Sequence, residues 1–155
     1  MLPGRPSSIL VLCEGNHCRS PLAEGLLRQA LPGVQVASAG LACTEGWGPH
    51  PLVVQFMGNH DIDLTRFRSR AFQPAMAEAA DLILVMDRDQ QAWCASLAPS
   101  ARDRIHLLGH WLEPARQEIE DPYRKPHDVF IMVYRTIVDA VAAWRTHLLR
   151  LPEAP

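Results

Sequence analysis

Residues 13 to 20, Cys13-Glu14-Gly15-Asn16-His17-Cys18-Arg19-Ser20, put a thiol, a tight turn, an arginine and a hydroxyl in one short run, and Pro21 follows. Gly15 and Asn16 are the residue types that best tolerate left-handed backbone, so a sharp turn is expected between the thiol and the arginine. A loop wrapped around a helix N-terminus aims successive backbone N–H groups inward and forms an anion nest that the helix dipole reinforces. Arg19 adds a planar fork that holds two oxygens of a tetrahedral anion at once. The same positive field favours thiolate over thiol at Cys13. A nucleophile and a phosphate-sized anion site therefore coincide, which is the equipment for phosphoryl transfer to sulfur. A cysteine six positions before an arginine is common by chance. The turn residues and the Arg-Ser-Pro entry to a helix carry the reading, because a buried structural cysteine needs neither.

The surrounding pattern supplies elements that would position this loop. Ser8 to Cys13 is a continuous apolar run that reads as a buried parallel strand ending at the thiol. Ser20, N-cap-like, and Pro21 open a helix whose apolar positions Leu22, Ala23, Leu26, Leu27 and Ala30 recur until Pro32-Gly33 stops them. Val34 to Ser38 is a second strand, Gly40 to Pro51 a loop, and a helix runs from about Leu52 to Asn59. Asp81 to Met86 is a third strand, a polar helix runs from about Asp87 to Pro99, and Ile105 to Leu108 is a fourth strand. Residues 109 to 126 read as a long loop, a place to look for function. From Asp128, residues Phe130, Val133, Ile137, Val141, Trp144 and Leu148 step by three or four and mark a closing amphipathic helix. Alternating strands and helices predict an α/β fold: a single domain over residues 1–155, with an open parallel four-stranded sheet covered by helices on both faces. In such sheets ligands bind at the carboxyl ends of strands where the winding reverses, and Cys13 lies at one such end.

Composition excludes several classes. With 155 residues and a formal charge of −2, the chain lacks the broad basic character that nucleic-acid binding requires. Ile9 to Leu12 is too short for a signal core or a membrane span, so no membrane insertion and a cytoplasmic location are expected. Four cysteines, at 13, 18, 43 and 94, are too few for a disulfide framework and suit catalysis in a reducing compartment. The histidines lack metal-ligand spacing, and neither a metal nor a cofactor is expected.

Val11 to Pro21 closely resembles the phosphate-binding loop of low-molecular-weight protein tyrosine phosphatases, and Asp121-Pro122-Tyr123 resembles their general-acid loop. Ser38-Ala39-Gly40, Ile62-Asp63-Leu64, Arg68-Ser69-Arg70, the run from Asp81 to Asp87, and Leu108-Gly109-His110-Trp111 look like further family segments in the same order. Gly109-His110-Trp111 and Asp121 to Lys125 look most like bacterial members that act on the tyrosine kinases of capsule and exopolysaccharide synthesis. The resemblance implies a phosphotyrosine protein substrate, with an autophosphorylating tyrosine kinase as the partner to consider. It implies that Cys13 attacks phosphorus, Arg19 and the amides of Glu14, Gly15, Asn16, His17 and Cys18 hold the phosphoryl oxygens, and Asp121 protonates the leaving phenol. Asp121-Pro122 read alone is an ordinary turn.

By the same resemblance Asn16, Ser20 and Ser38 brace the loop, Tyr123 walls the aryl slot, Asp87 is a supporting contact, and Cys18 forms a disulfide with Cys13 under oxidants. Two positions depart from the family. Phe67 stands where a bracing histidine is frequent, leaving the support of Asn16 in question. His17 occupies a position that is usually apolar; an imidazole there either tunes aryl stacking or faces solvent, and solvent is the expectation. Trp47 reads equally as pocket rim or core. Three rivals stand beside the phosphatase reading. A thiol-coupled arsenate reductase would use Cys43 and Cys94 as an electron relay, a phosphotyrosine-binding module would lack turnover, and a zinc site at Cys13, His17 and Cys18 would lack a fourth ligand.

Overall fold

The computed structural model describes residues 2–154. Four strands, β1 (Ser8–Cys13), β2 (Gln35–Gly40), β3 (Leu82–Val85) and β4 (Ile105–Leu107), form one parallel sheet in the order β2-β1-β3-β4. Five α-helices accompany them: α1 (Arg19–Ala30), α2 (Pro51–Gly58), α3 (Pro74–Ala79), α4 (Arg88–Leu97) and α5 (His127–Leu149). The chain passes from β1 to β2 on one side, then crosses back over β1 to β3 on the other. The winding thus reverses at β1, and Cys13, paired with Gly40, sits at the carboxyl end of that switch point.

Alternation along the strands divides the core between the two faces. Ile9, Val11, Leu82 and Leu84 point into a cluster with α1, α2 and α5, whereas Leu10, Leu12, Ile83 and Val85 point into a cluster with α3 and α4. The six apolar positions of α5 named from their spacing are all buried, and Trp144 donates from Nε1 to the Leu108 carbonyl at 2.8 Å. Burying such a side chain is worth about 1.5–3 kcal/mol, so α5 acts as the clamp that holds α1, and with it the loop 13–19, against the sheet.

Two differences from the sequence reading have local causes. Helix α3 and a 3₁₀ turn at Pro99–Arg104 each open with a proline and are too short to show a hydrophobic period. Ser20 is not the cap of α1: it lies at the second helical position, the cap residue is Cys18, and no side chain caps the helix. The Ser20 hydroxyl is engaged elsewhere.

Two glycines permit the approach of the functional loops. A Cβ at Gly40 would lie 2.8 Å from the Glu14 carbonyl and 3.0 Å from the Asn16 nitrogen, so the end of β2 admits the 13–19 loop only as glycine. A Cβ at Gly109 would come within 2.8 Å of the Arg116 carbonyl, so the 109–126 segment folds back on its own start. Ile119 then docks its amide on the Met86 carbonyl at 2.9 Å, which fixes the segment beside the end of β3. Among the described residues no helix is long and apolar enough to cross a membrane.

Candidate active site

The backbone of the loop after β1 faces outward with its carbonyls. Those of Cys13, Glu14 and His17 accept from the amides of Leu41, Ala42 and His50 at 2.9, 2.9 and 3.0 Å. Among the described residues the amides of Glu14, Gly15, His17 and Cys18 have no acceptor, the arrangement of an anion nest. Asn16 makes the turn with φ of 53°, a left-handed state that costs about 1–2 kcal/mol for a residue with a Cβ.

Side chains hold that turn in place. Asn16 is fully buried; its Nδ2 donates to Ser20 Oγ at 2.8 Å and to Ser38 Oγ at 3.0 Å, and its Oδ1 accepts from the Arg70 amide at 3.0 Å. The support is complete without a histidine at Phe67, because the Arg70 backbone supplies the donor. Cys13 Sγ accepts from the Asn16 amide at 3.2 Å and lies 3.0 Å from Ser20 Oγ. The Asn16 amide and the Ser20 hydroxyl thus meet at one sulfur and hold it in place.

Cys13, Glu14, Gly15, His17, Cys18, Arg19, Asp121 and Tyr123 line one cavity of about 380 Å³. Asn16, Ser20 and Ser38 stand behind it, bracing rather than lining. Arg19 is 3 % exposed; its Nη1 donates to the Ile119 carbonyl at 2.7 Å and its Nη2 lies 3.8 Å from Asp121 Oδ2. Asp121 is partly exposed, and its Oδ1 accepts from the Tyr123 amide at 3.0 Å, which leaves Oδ2 as the oxygen turned toward Arg19. Tyr123 presents a half-exposed ring to the mouth of the cavity.

The structure places three more of the side chains named from the sequence, and one of them, His17, departs from its expectation. Asp87 does not line the cavity: its carboxylate caps α4 by accepting from the Gln90 amide at 2.8 Å. His17 is not a solvent-facing side chain; half-buried, its Nδ1 is 2.7 Å from the Gly48 carbonyl and its ring meets Tyr123 edge-on at 6.1 Å. Trp47 lies on the rim and is 63 % exposed, not packed in the core. Ala42 and Thr44 also line the cavity and were not foreseen, and Cys43, named only for the reductase rival, lines it as well. The signal for them was the glycine- and proline-rich loop that follows the strand beside β1.

Burial sets the character of the other thiols. Cys18 is pushed up to about 12, first by burial and then by the negative charge of Asp121 and Cys13, with Arg19 opposing. Cys94 is fully buried on the opposite face of the sheet and pushed up to about 11 by burial alone. It lies outside the cavity, so a relay from Cys43 to Cys94 has no structural basis. Among the described residues no group of three or more His, Cys, Asp or Glu is placed to hold a metal ion, which removes the zinc reading.

A cysteine sulfur, a guanidinium and a carboxyl group lining one cavity, at the switch point of a doubly wound sheet, define a class of cysteine-based phosphomonoester enzymes. Comparison with known proteins narrows that class to one family. Residues 8–152 match the family described as low molecular weight phosphotyrosine protein phosphatase, and the chain belongs to it. It is 42 % identical over 147 residues to the low molecular weight protein-tyrosine-phosphatase Etp of Escherichia coli K12, covering 93 % of this chain and 96 % of that one. Among solved structures, the tyrosine phosphatase AmsI of Erwinia amylovora superposes with a TM-score of 0.88 at 37 % identity, over 94 % of this chain and 95 % of that one. The tyrosine phosphatase Wzb of Escherichia coli K30, solved with sulphate, gives 0.87 at 36 % identity, over 92 % and 99 %.

Proposed function

We propose that this protein hydrolyses phosphotyrosine in protein substrates through a phosphocysteine intermediate, with Cys13 as nucleophile, Arg19 as phosphate clamp and Asp121 as general acid. The observation that carries the reading is the convergence of the Asn16 amide and the Ser20 hydroxyl on Cys13 Sγ, below a nest of unpaired amides. Sγ attacks phosphorus as the bond to the aryl oxygen breaks, and Asp121 Oδ2 gives its proton to that oxygen. The carboxylate then takes a proton from water, which attacks phosphorus; the S–P bond breaks, and the thiolate leaves toward the Ser20 hydroxyl. Little covalent chemistry is asked of the protein in such a transfer, and most of the work is positioning and charge.

Cys13, Arg19 and Asp121 do the chemistry in this reading. Glu14, Gly15, His17 and Cys18 contribute loop amides, Asn16, Ser20 and Ser38 hold the loop, and Tyr123 walls the slot. Residues 1–155 act as a single domain in the cytoplasm, where reducing conditions suit a catalytic thiol. An autophosphorylating tyrosine kinase is the substrate we favour, because Gly109-His110-Trp111 and Asp121 to Lys125 resemble the bacterial members that act on such kinases.

The test is turnover of para-nitrophenyl phosphate and of a phosphotyrosyl peptide by the native protein and by Cys13→Ser. Turnover should vanish in the variant while phosphate or vanadate binding persists, since the nest and Arg19 remain. A variant that keeps a tenth of the native rate removes Cys13 from the role of nucleophile.

A further inference from the structure

Trp47 stands on the rim of the cavity and Arg68 lies beside that rim, and the reaction uses neither side chain. Trp47 is held by its backbone, not by its ring. Its amide donates to Ser69 Oγ at 3.0 Å, its carbonyl accepts from the Ser69 amide at 2.7 Å, and Ser69 Oγ donates on to the Thr44 carbonyl at 2.6 Å. Ser69 is itself buried, so the indole is presented to solvent from a fixed base beside the pocket. The indole is 63 % exposed at the edge of the cavity that holds Cys13.

Arg68 stands next to it across Ser69. Its Nη1 donates to the carbonyls of Phe67 at 2.6 Å and Thr65 at 3.1 Å, and lies 3.7 Å from where a Cβ on Gly48 would be. Gly48 is the residue whose carbonyl meets His17, so Arg68 is one residue removed from the lining of the cavity. Nε and Nη2 of Arg68 make no hydrogen bond, and Arg68 forms no ion pair among the described residues. Glu45 Oε1 accepts from the Ala71 amide at 3.1 Å and makes no ion pair with Arg68. A guanidinium anchored through one nitrogen, with the other two free, is pre-organised to bind an anionic oxygen pair.

We propose that Trp47 and Arg68 form an accessory site for the chain that flanks the phosphotyrosine. An acidic side chain, either a carboxylate or a second phosphate, pairs with Arg68, and the adjoining peptide lies on the Trp47 indole. The proposal rests on the phosphatase reading and deepens it: the preferred substrate is an acidic or multiply phosphorylated segment, not an isolated phosphotyrosine.

The experiment compares kcat/KM for phosphotyrosyl peptides whose neighbouring residue is Glu, phosphotyrosine, Ala or Lys, using native protein, Arg68→Ala and Arg68→Glu. Because each variant is scored by the ratio of its own acidic to neutral peptide, any general loss from a loosened loop cancels. Native protein should favour the Glu peptide over the Ala peptide by about two- to fivefold, the range of an exposed ion pair, and added salt should shrink the ratio. A larger ratio for phosphotyrosine identifies phosphate as the better occupant, and an equal ratio identifies a generic anion. Arg68→Ala should bring the ratio to one, and Arg68→Glu should favour the Lys peptide. Equal rates on all flanks by native protein, or a preference that survives in Arg68→Ala, overturns the accessory site. Native protein that fails on para-nitrophenyl phosphate and on every peptide refutes the phosphatase reading itself.

Discussion

Arg19 and Ile119 are joined by a 2.7 Å hydrogen bond from a guanidinium Nη1 to a main-chain carbonyl, across a hundred positions of sequence. One arm of the fork is thereby committed to the acid loop and the other lies toward Asp121 and the cavity. The clamp that would hold phosphate is also the strut that sets the distance between the thiol and the carboxylate.

Arg19→Lys should therefore fail twice, since an ammonium can neither span both contacts nor present two parallel donors. Loss of a preorganised donor costs about 10²–10³ in kcat, and the displaced acid loop should add to it. The measurement is kcat and KM on para-nitrophenyl phosphate alongside phosphate affinity. Affinity should fall together with kcat, whereas a variant with native kcat would show that the fork has no part in the transition state.

Asn16 offers a test of the loop separate from the chemistry. Replacing it with Ala leaves a left-handed residue without its amide and strips Ser20, Ser38 and the Arg70 amide of a buried partner. Each unsatisfied buried group costs about 1–3 kcal/mol, so a loss of roughly 3 kcal/mol in unfolding free energy is expected from denaturant titration. Ser38→Ala, which removes one contact, should cost only a fraction of that.

Much of this was legible in the sequence because its signals are local. The apolar runs of β1 and β3, the spacing on α5 and the turn residues 15 and 16 each announce their structure within a few positions. The bracing of Asn16 was not legible, because its third partner is the backbone of Arg70, and a main-chain donor leaves no mark on residue identity. The particular contact of Asp87 was not legible for a related reason: an aspartate after a strand serves equally as a site residue or a helix cap, and only the 2.8 Å contact with Gln90 decides. His17 and Trp47 were undetermined because the 40–51 loop has no period from which to place its ends. The accessory rim depends on Ser69 bridging two such segments.

Cys18 gives a prediction in pH. Oxidation of Cys13 to a sulfenic acid allows a disulfide to form only when Cys18 attacks as thiolate, displacing hydroxide that takes a proton from solvent and leaves as water. Burial holds Cys18 at about 12, so near pH 7 its thiolate is scarce and further oxidation of Cys13 competes. Raising the pH toward the Cys18 value increases the thiolate fraction. The share of peroxide-treated protein recovered by reductant should thus rise from pH 7 to pH 9, with the Cys13–Cys18 disulfide followed by mass spectrometry. A pH-independent yield, or full recovery in Cys18→Ser, would count against Cys18 as the resolving thiol.

Asp121 makes the most demanding prediction, since its place in the cavity with Cys13 depends on the whole 109–126 segment. Its two oxygens are not equivalent: Oδ1 accepts from the Tyr123 amide, and Oδ2 lies on the side of Arg19 and the cavity. In the proposed reaction the proton that leaves with the aryl oxygen comes from Oδ2. A general acid matters in proportion to the leaving group's need, and the phenol of tyrosine, with a pKa near ~10, leaves poorly without one. A positioned proton donor is worth about 10²–10⁴-fold, so Asp121→Asn should lose that much in the first step on phenyl phosphate or phosphotyrosine. An aryl phosphate with a much more acidic phenol should lose far less, so a plot of log rate against leaving-group pKa should steepen in the variant. Hydrolysis of the phosphocysteine should slow as well, because the base for water is gone, and single-turnover kinetics separates the two steps. An equal loss across the leaving-group series would show that the Asn side chain disturbs the loop rather than removing a proton. No loss at all would show that the carboxylate does not reach the reacting oxygen.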